Sequence, residues 1–265
     1  MKNLILMLSL LFAVVNNASA HAWRTLTIAT TEYPPYTSTE MEHNGYINHI
    51  ISEAFLRVGV KVEYQTMSWE DAVASAKDGR YDAVSYANFT RVYNVDFWQS
   101  EPITSESLVF TASEELPLDQ WESLQQLEQY KIGVTKGYAY TDELFAFFKQ
   151  VPNTVTVDTD KDGLNAVIAN EIQLFPIDEL TAWYLLERDF TTFDRDEIKM
   201  LRPFISTVTT HLLIPRSSED SQLILALFNK GLRVLAMEGK LDRYKTLLRE
   251  GYYQHPDKPV NFDRR

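Results

Sequence analysis

Tyr33-Pro34-Pro35-Tyr36 sets two aromatic rings on either side of a proline pair. Each proline removes a backbone donor, and the residue before a proline avoids the helical region, so this stretch is a loop. Its rings can form a wall on which a flat or cationic solute stacks, or they can anchor the loop itself. Trp69, at the start of a helical stretch, is the candidate for a facing wall; the same ring could equally be core. Tyr86, Asn88, Thr90 and Arg91 follow a buried strand. Arg91 there offers a guanidinium to an anion or makes a solvated ion pair. Tyr138, beside the Lys136-Gly137 turn, adds a phenol. Asp178 ends an apolar strand, where a buried carboxylate needs a partner. A bound cation would supply one, and so would the helix that follows, which Asp caps readily. These groups suit an aromatic site with an acidic partner, of the kind that takes a cationic amine, with Tyr33, Trp69, Asn88, Thr90, Arg91, Tyr138 and Asp178 as the expected contacts.

Bond-making chemistry finds little support. There is no G-x-S-x-G, no phosphate loop and no G-x-G-x-x-G. Five histidines (21, 43, 49, 211, 255) show no H-E-x-x-H or other metal spacing. The run Asp158-Thr159-Asp160-Lys161-Asp162 lacks the central Gly and distant Glu of a calcium loop, and with Glu114-Glu115 it reads as a solvated face. No metal and no cofactor is expected. Glu32 and Asp178 are the acid or base candidates that fall near a cleft, should the scaffold carry out proton transfer. The chain has 37 Asp+Glu against 25 Lys+Arg, a formal charge of −12, which argues against a nucleic-acid or anionic-membrane surface. It has no cysteine, which excludes disulfides, thiolate metal sites and a lipidated Cys.

The N-terminus reads as a secretory signal. Lys2 precedes an apolar run at 4–15, and Ala18-Ser19-Ala20 supplies small residues for cleavage after Ala20. That run is short of the roughly 20 residues of a permanent span. A mature chain from His21, free of a stable membrane anchor, is expected beyond the inner membrane, in the periplasm of a Gram-negative cell.

Periodicity then places the elements that carry these residues. Strands are expected at 24–29, 60–65 and 81–86, with helices at 47–58 and 69–77, the order of a mostly parallel sheet. Ser68 is the N-cap of the second helix and Gly59 and Gly79 close the two helices. A second unit has strands at 130–134, 154–157 and 173–177, with helices at 141–150, 160–169 and 178–187. Two extended crossovers, 102–112 and 204–214, join the units, and helices at 220–238 and 241–249 follow. The polar tail from 251 is expected to be loosely ordered. A chain that leaves one α/β unit, builds another and returns leaves a cleft between lobes, faced by loops at the carboxyl ends of strands. The expected division is 21–108 with 209–265 as lobe 1 and 109–208 as lobe 2. Bending is expected near 104–112 and 204–210.

Six stretches in order resemble the extracellular solute-binding proteins of family 3, the amino-acid-type binding proteins of ABC transporters. They are TIATTEYPPYT (27–37), WEDAVASAKDGRYDAV (69–84), FWQSEPI (97–103), KIGVTKG (131–137), FPIDELTAWYLL (175–186) and ALFNKGLRVLAMEGKLDRYKTLL (226–248). The resemblance implies a two-lobed α/β fold of the type II periplasmic-binding-protein kind, a monomer with a small polar ligand, and a membrane permease or sensor as partner. It also implies an Asp for the ligand amine, matched by Asp178, and an Arg for its carboxylate. Setting Thr90 on the family Thr places Tyr93 at that Arg; a shifted alignment places Arg91 there. The family turn with hydroxyls is replaced by Gly137-Tyr138-Ala139. A sensory protein, or an enzyme resembling cyclohexadienyl dehydratases, would use the same scaffold.

Overall fold

The computed structural model describes residues 25–138, 140–257 and 260. The expected signal segment with its cleavage site, His21 and Ala139 lie outside the described residues.

Strands β1 (Thr25–Thr30), β2 (Lys61–Thr66) and β3 (Ala83–Asn88) run parallel in the order β2-β1-β3. They are linked by α1 (Tyr46–Leu56) and α2 (Trp69–Lys77). Helix α1 buries Ile47, Ile50, Ile51, Ala54 and Phe55, the stripe its periodicity predicts. It starts at Gly45, whose φ of 94° and close approach to the Tyr36 carbonyl leave no room for a side chain. Helix α2 is capped as expected: Ser68 Oγ accepts from the Asp71 N–H at 3.1 Å.

The two crossovers are the long strands β5 (Thr104–Ser113) and β10 (Ser206–Pro215), paired antiparallel from Thr104↔Thr210 to Leu108↔Ser206. Strand β10 also pairs with β3, and β5 with β8 (Phe175–Asp178), completing the order β2-β1-β3-β10-β5-β8. The sheet is therefore mixed rather than mostly parallel. A strand that leaves a unit and one that returns to it must run in opposite directions when they lie side by side. Short strands β4 (Phe97–Gln99) and β9 (Ile198–Met200) join β10 and β5.

Beyond the crossovers, β6 (Ile132–Thr135) and β7 (Thr154–Val157) form a separate parallel pair. Around them lie α3 (Asp142–Gln150), α4 (Asp160–Ile168), α5 (Glu179–Asp189) and the short α6 (Thr192–Asp196). Helices α7 (Ser221–Met237) and α8 (Lys240–Arg249) return to the first unit. Gly231 of α7 lies so close to α1 that a β-carbon would collide with the Ala54 carbonyl oxygen.

The C-terminal tail departs from expectation. Tyr253 is buried, its hydroxyl is 2.9 Å from His49 Nδ1, and its carbonyl accepts from the Glu42 N–H. Burying Tyr253 against Tyr46 and His49, with half-buried Tyr252 stacked on His43, offsets the cost of ordering the turn. Among the described residues, no helix is long and apolar enough to cross a membrane. Nor do three or more His, Asp or Glu gather there as metal ligands.

Candidate functional site

A cleft of about 730 Å³ opens at the carboxyl ends of β1 and β3 and reaches β5. A smaller cavity of about 370 Å³ adjoins it across β5 and β10. Asn88 and Glu106 line both, so they stand where the two spaces meet.

The first wall grows from the proline loop. A turn closes residues 33–37, with the Tyr33 carbonyl accepting from the N–H groups of Tyr36 and Thr37. It stacks Tyr33 on Tyr36 at 5.6 Å and Tyr36 on Tyr86 at 4.8 Å between ring centroids. Tyr36 is wholly buried, whereas Tyr33 keeps 42% of its surface exposed and lines the cleft. Across the strand ends, Trp69 enters from the first turn of α2 and meets Tyr93 edge-on at 6.1 Å. Tyr86 also lines the cleft; it is 93% buried, from an exposure of 7%, and its hydroxyl has no hydrogen-bond partner among the described residues.

Residues 88–95 divide into an inward and an outward part. Asn88, Thr90 and Tyr93 line the cleft. Thr90 caps a 3-10 turn at Arg91–Val95 by accepting from the Val92 N–H. That turn carries Tyr93 inward onto Trp69 and Phe97 and leaves Arg91 exposed, outside the lining of either cavity.

Tyr138 and Asp178 line the smaller cavity. Asp178 is 3% exposed and well supplied with donors. Its Oδ1 accepts from Tyr36 Oη at 2.6 Å, Thr181 N at 2.9 Å and Thr181 Oγ1 at 3.0 Å; its Oδ2 accepts from Ser107 N at 3.3 Å. It is thus the N-cap of α5. Burial raises its carboxyl above the ordinary range against the pull of these hydrogen bonds.

Glu106, which lines both cavities, is the charged candidate that sequence reasoning missed. It lies in β5 opposite Val208 and is half-buried, and Oε2 accepts from Asn88 Nδ2 at 3.2 Å. Burial, with Asp178 nearby, pushes its carboxyl up to about 8. The available signal was a lone acidic residue inside an otherwise uncharged crossover, Thr104-Ser105-Glu106-Ser107-Leu108. Asp160, read as part of a solvated run, is also drawn in. Thr159 and Asp162 form a reciprocal capping box that starts α4, and Asp160 Oδ1 accepts from Thr135 Oγ1 at 2.6 Å. Burial raises its carboxyl too. Glu32 is held by its own loop. Burial would raise it, but hydrogen bonds from Thr39 and Ser38 keep it below the usual carboxylate range. Burial and the neighbouring carboxylates push the phenols of Tyr33 and Tyr138 far up, so both stay neutral.

The charged residues lining both cavities are therefore acidic, and no Lys, Arg or His lines either among the described residues. Aromatic faces around a carboxylate suit a small solute bearing positive charge.

The model of the bacterial extracellular solute-binding proteins, family 3, matches residues 26–247. The fold is similar to the L-cystine solute receptor of Neisseria gonorrhoeae in its unliganded open conformation. The TM-score is 0.70 at 19% identity, over 86% of this chain and 94% of that one. It is also similar to substrate binding domain 2 of GlnP from Lactococcus lactis in open conformation, with TM-score 0.70 at 17% identity over 87% and 95%. A histidine kinase sensor domain with similarity to periplasmic binding proteins matches with TM-score 0.56 at 17% identity, over 83% of this chain and 94% of that one. No curated protein sequence matches the chain.

Proposed function

The chain belongs to the bacterial extracellular solute-binding proteins, family 3, and on that premise we propose that it captures a small polar solute in the cleft, closes over it, and presents the closed form to an ABC permease. The observation that carries this reading is the cleft itself. It lies at strand ends, is walled by Tyr33, Trp69 and Tyr93, and continues past Glu106 to Tyr138 and Asp178. Residues 21–108 with 209–265 act as one lobe and 109–208 as the other, hinged on β5 and β10. The solute docks on the aromatic wall first. Closure is then a shift of population, driven only by the contacts that the solute gains in the closed form. The protein works outside the inner membrane, in the periplasm, after cleavage behind Ala20, as a monomer and without catalysis. A sensory role is the second reading, supported by the likeness to a histidine kinase sensor domain.

A thermal-shift screen of the purified protein against amino acids, amines and small acids tests it. A bound solute raises the melting temperature by mass action, and small-angle scattering should report a more compact particle. Failure of every class to bind, or turnover of prephenate or arogenate, would overturn the proposal.

A further inference from the structure

The carboxylates around the two cavities differ in how far the protein itself satisfies them. Asp178 accepts from Tyr36, Thr181 and Ser107. Asp160 accepts from Thr135, and Glu32 from the backbone and hydroxyl of Thr39. Glu106 has only the Asn88 amide, at 3.2 Å, and no cation within ion-pair reach among the described residues. Elsewhere a buried acid in this chain is paired: Glu179 is met by Arg202 at 2.7 Å and Lys245 at 3.6 Å. A half-buried carboxylate facing a cavity without a counter-charge favours an incoming cation.

The same cleft gives a carboxylate little to hold. The N-terminus of α2 is closed by its Ser68 cap and carries Glu70 and Asp71 in its first turn. In the neighbouring turn, Thr90 N donates to Gln99 Oε1 and Val92 N to Thr90 Oγ1. Arg91 stands outside. An anionic group would find no positive charge here to hold it, and an ionised Glu106 would repel it. An independent sign of a missing polar partner is Tyr86. It is 7% exposed, it lines this cleft, and its hydroxyl is unpartnered among the described residues.

We infer that the cleft selects an organic cation lacking a carboxylate, an amine or guanidine whose charged head lies by Glu106 and whose body stacks among Tyr33, Trp69 and Tyr93. This rests on the reading of the cleft as a solute site and narrows its ligand class.

Isothermal titration of the purified protein with matched pairs tests it: agmatine against arginine, cadaverine against lysine, and tyramine against tyrosine. The expected result is that at least one amine binds about tenfold or more tighter than its parent amino acid. Glu106→Gln should weaken that amine about tenfold or more without lowering the melting temperature of the free protein. Parent amino acids binding as tightly as their amines, or a small dicarboxylate binding tightest, overturns the inference and leaves the solute-binding reading intact. Unchanged amine affinity in Glu106→Gln overturns it as well. Absence of binding by amines, amino acids and acids alike overturns both.

Discussion

Tyr36 Oη donates to Asp178 Oδ1 at 2.6 Å, a bond between residues 142 apart in sequence. It ties the proline loop of the N-terminal unit to the end of β8 and the start of α5. Both partners are buried, so the loop that presents Tyr33 is held in place by the unit across the crossovers.

Tyr36→Phe removes that bond and keeps the ring stack. A hydrogen bond to a charged group contributes about 1.5–3 kcal/mol, and urea denaturation should show a loss of that order. A loss near zero would mean that this bond adds nothing to the ring stacking and strand pairing around it.

Asp178→Asn and Asp178→Ala separate capping from charge. Asn keeps an acceptor for Thr181 N and Tyr36 Oη but turns its NH2 towards the Ser107 N–H, a donor against a donor; Ala removes the cap, worth about 1 kcal/mol, and strands a buried phenol at a further 1–3 kcal/mol or so. Denaturant midpoints should therefore rank wild type above Asn and Asn above Ala.

The pH dependence of the free protein reports on Glu106. The groups facing it are Asp178, the neutral phenols of Tyr33, Tyr36 and Tyr138, and the Asn88 amide. Its carboxyl sits at about 8 in the folded chain against an ordinary 4.5, so the folded state binds the extra proton. Stability is full below the unfolded value and falls as pH rises towards 8. Glu106→Gln should flatten this decline, gaining on the order of 1–3 kcal/mol over wild type near pH 9. Equal slopes for the two proteins between pH 5 and 9 would contradict it. Since a cationic ligand requires the ionised form, its affinity should rise over the same interval.

Arg91→Ala and Tyr93→Ala distinguish the outer and inner sides of one turn. For the solute that raises the melting temperature most, Arg91→Ala should change affinity less than about twofold. Tyr93→Ala should lower it about tenfold through the lost aromatic contact. The reverse ranking in titration calorimetry would return the anion contact to Arg91.

Gly231→Ala would drive a methyl group into the Ala54 carbonyl between α7 and α1. Separating two helices in a packed core costs about 1–3 kcal/mol, visible as a lowered melting temperature.

The elements were legible because their causes are local. The stripe 47, 50, 51, 54, 55 made α1, Ser68 capped α2 through Asp71, and Tyr33-Pro34-Pro35-Tyr36 made a loop, each within a few residues of chain. The two extended crossovers were likewise marked by composition, and with them the two-lobed α/β fold. The electrostatics of the cleft came from the tertiary structure alone. Glu106 is left without a cation by what β3, β8 and β10 bring beside it, and Asp178 is occupied by Tyr36 and Ser107 from 142 and 71 residues away. Arg91 and Tyr93 differ in direction because a 3-10 turn rotates one out as it carries the other in. Periodicity records which face of an element is apolar; the field at a carboxyl is a sum over neighbours that only folding assembles.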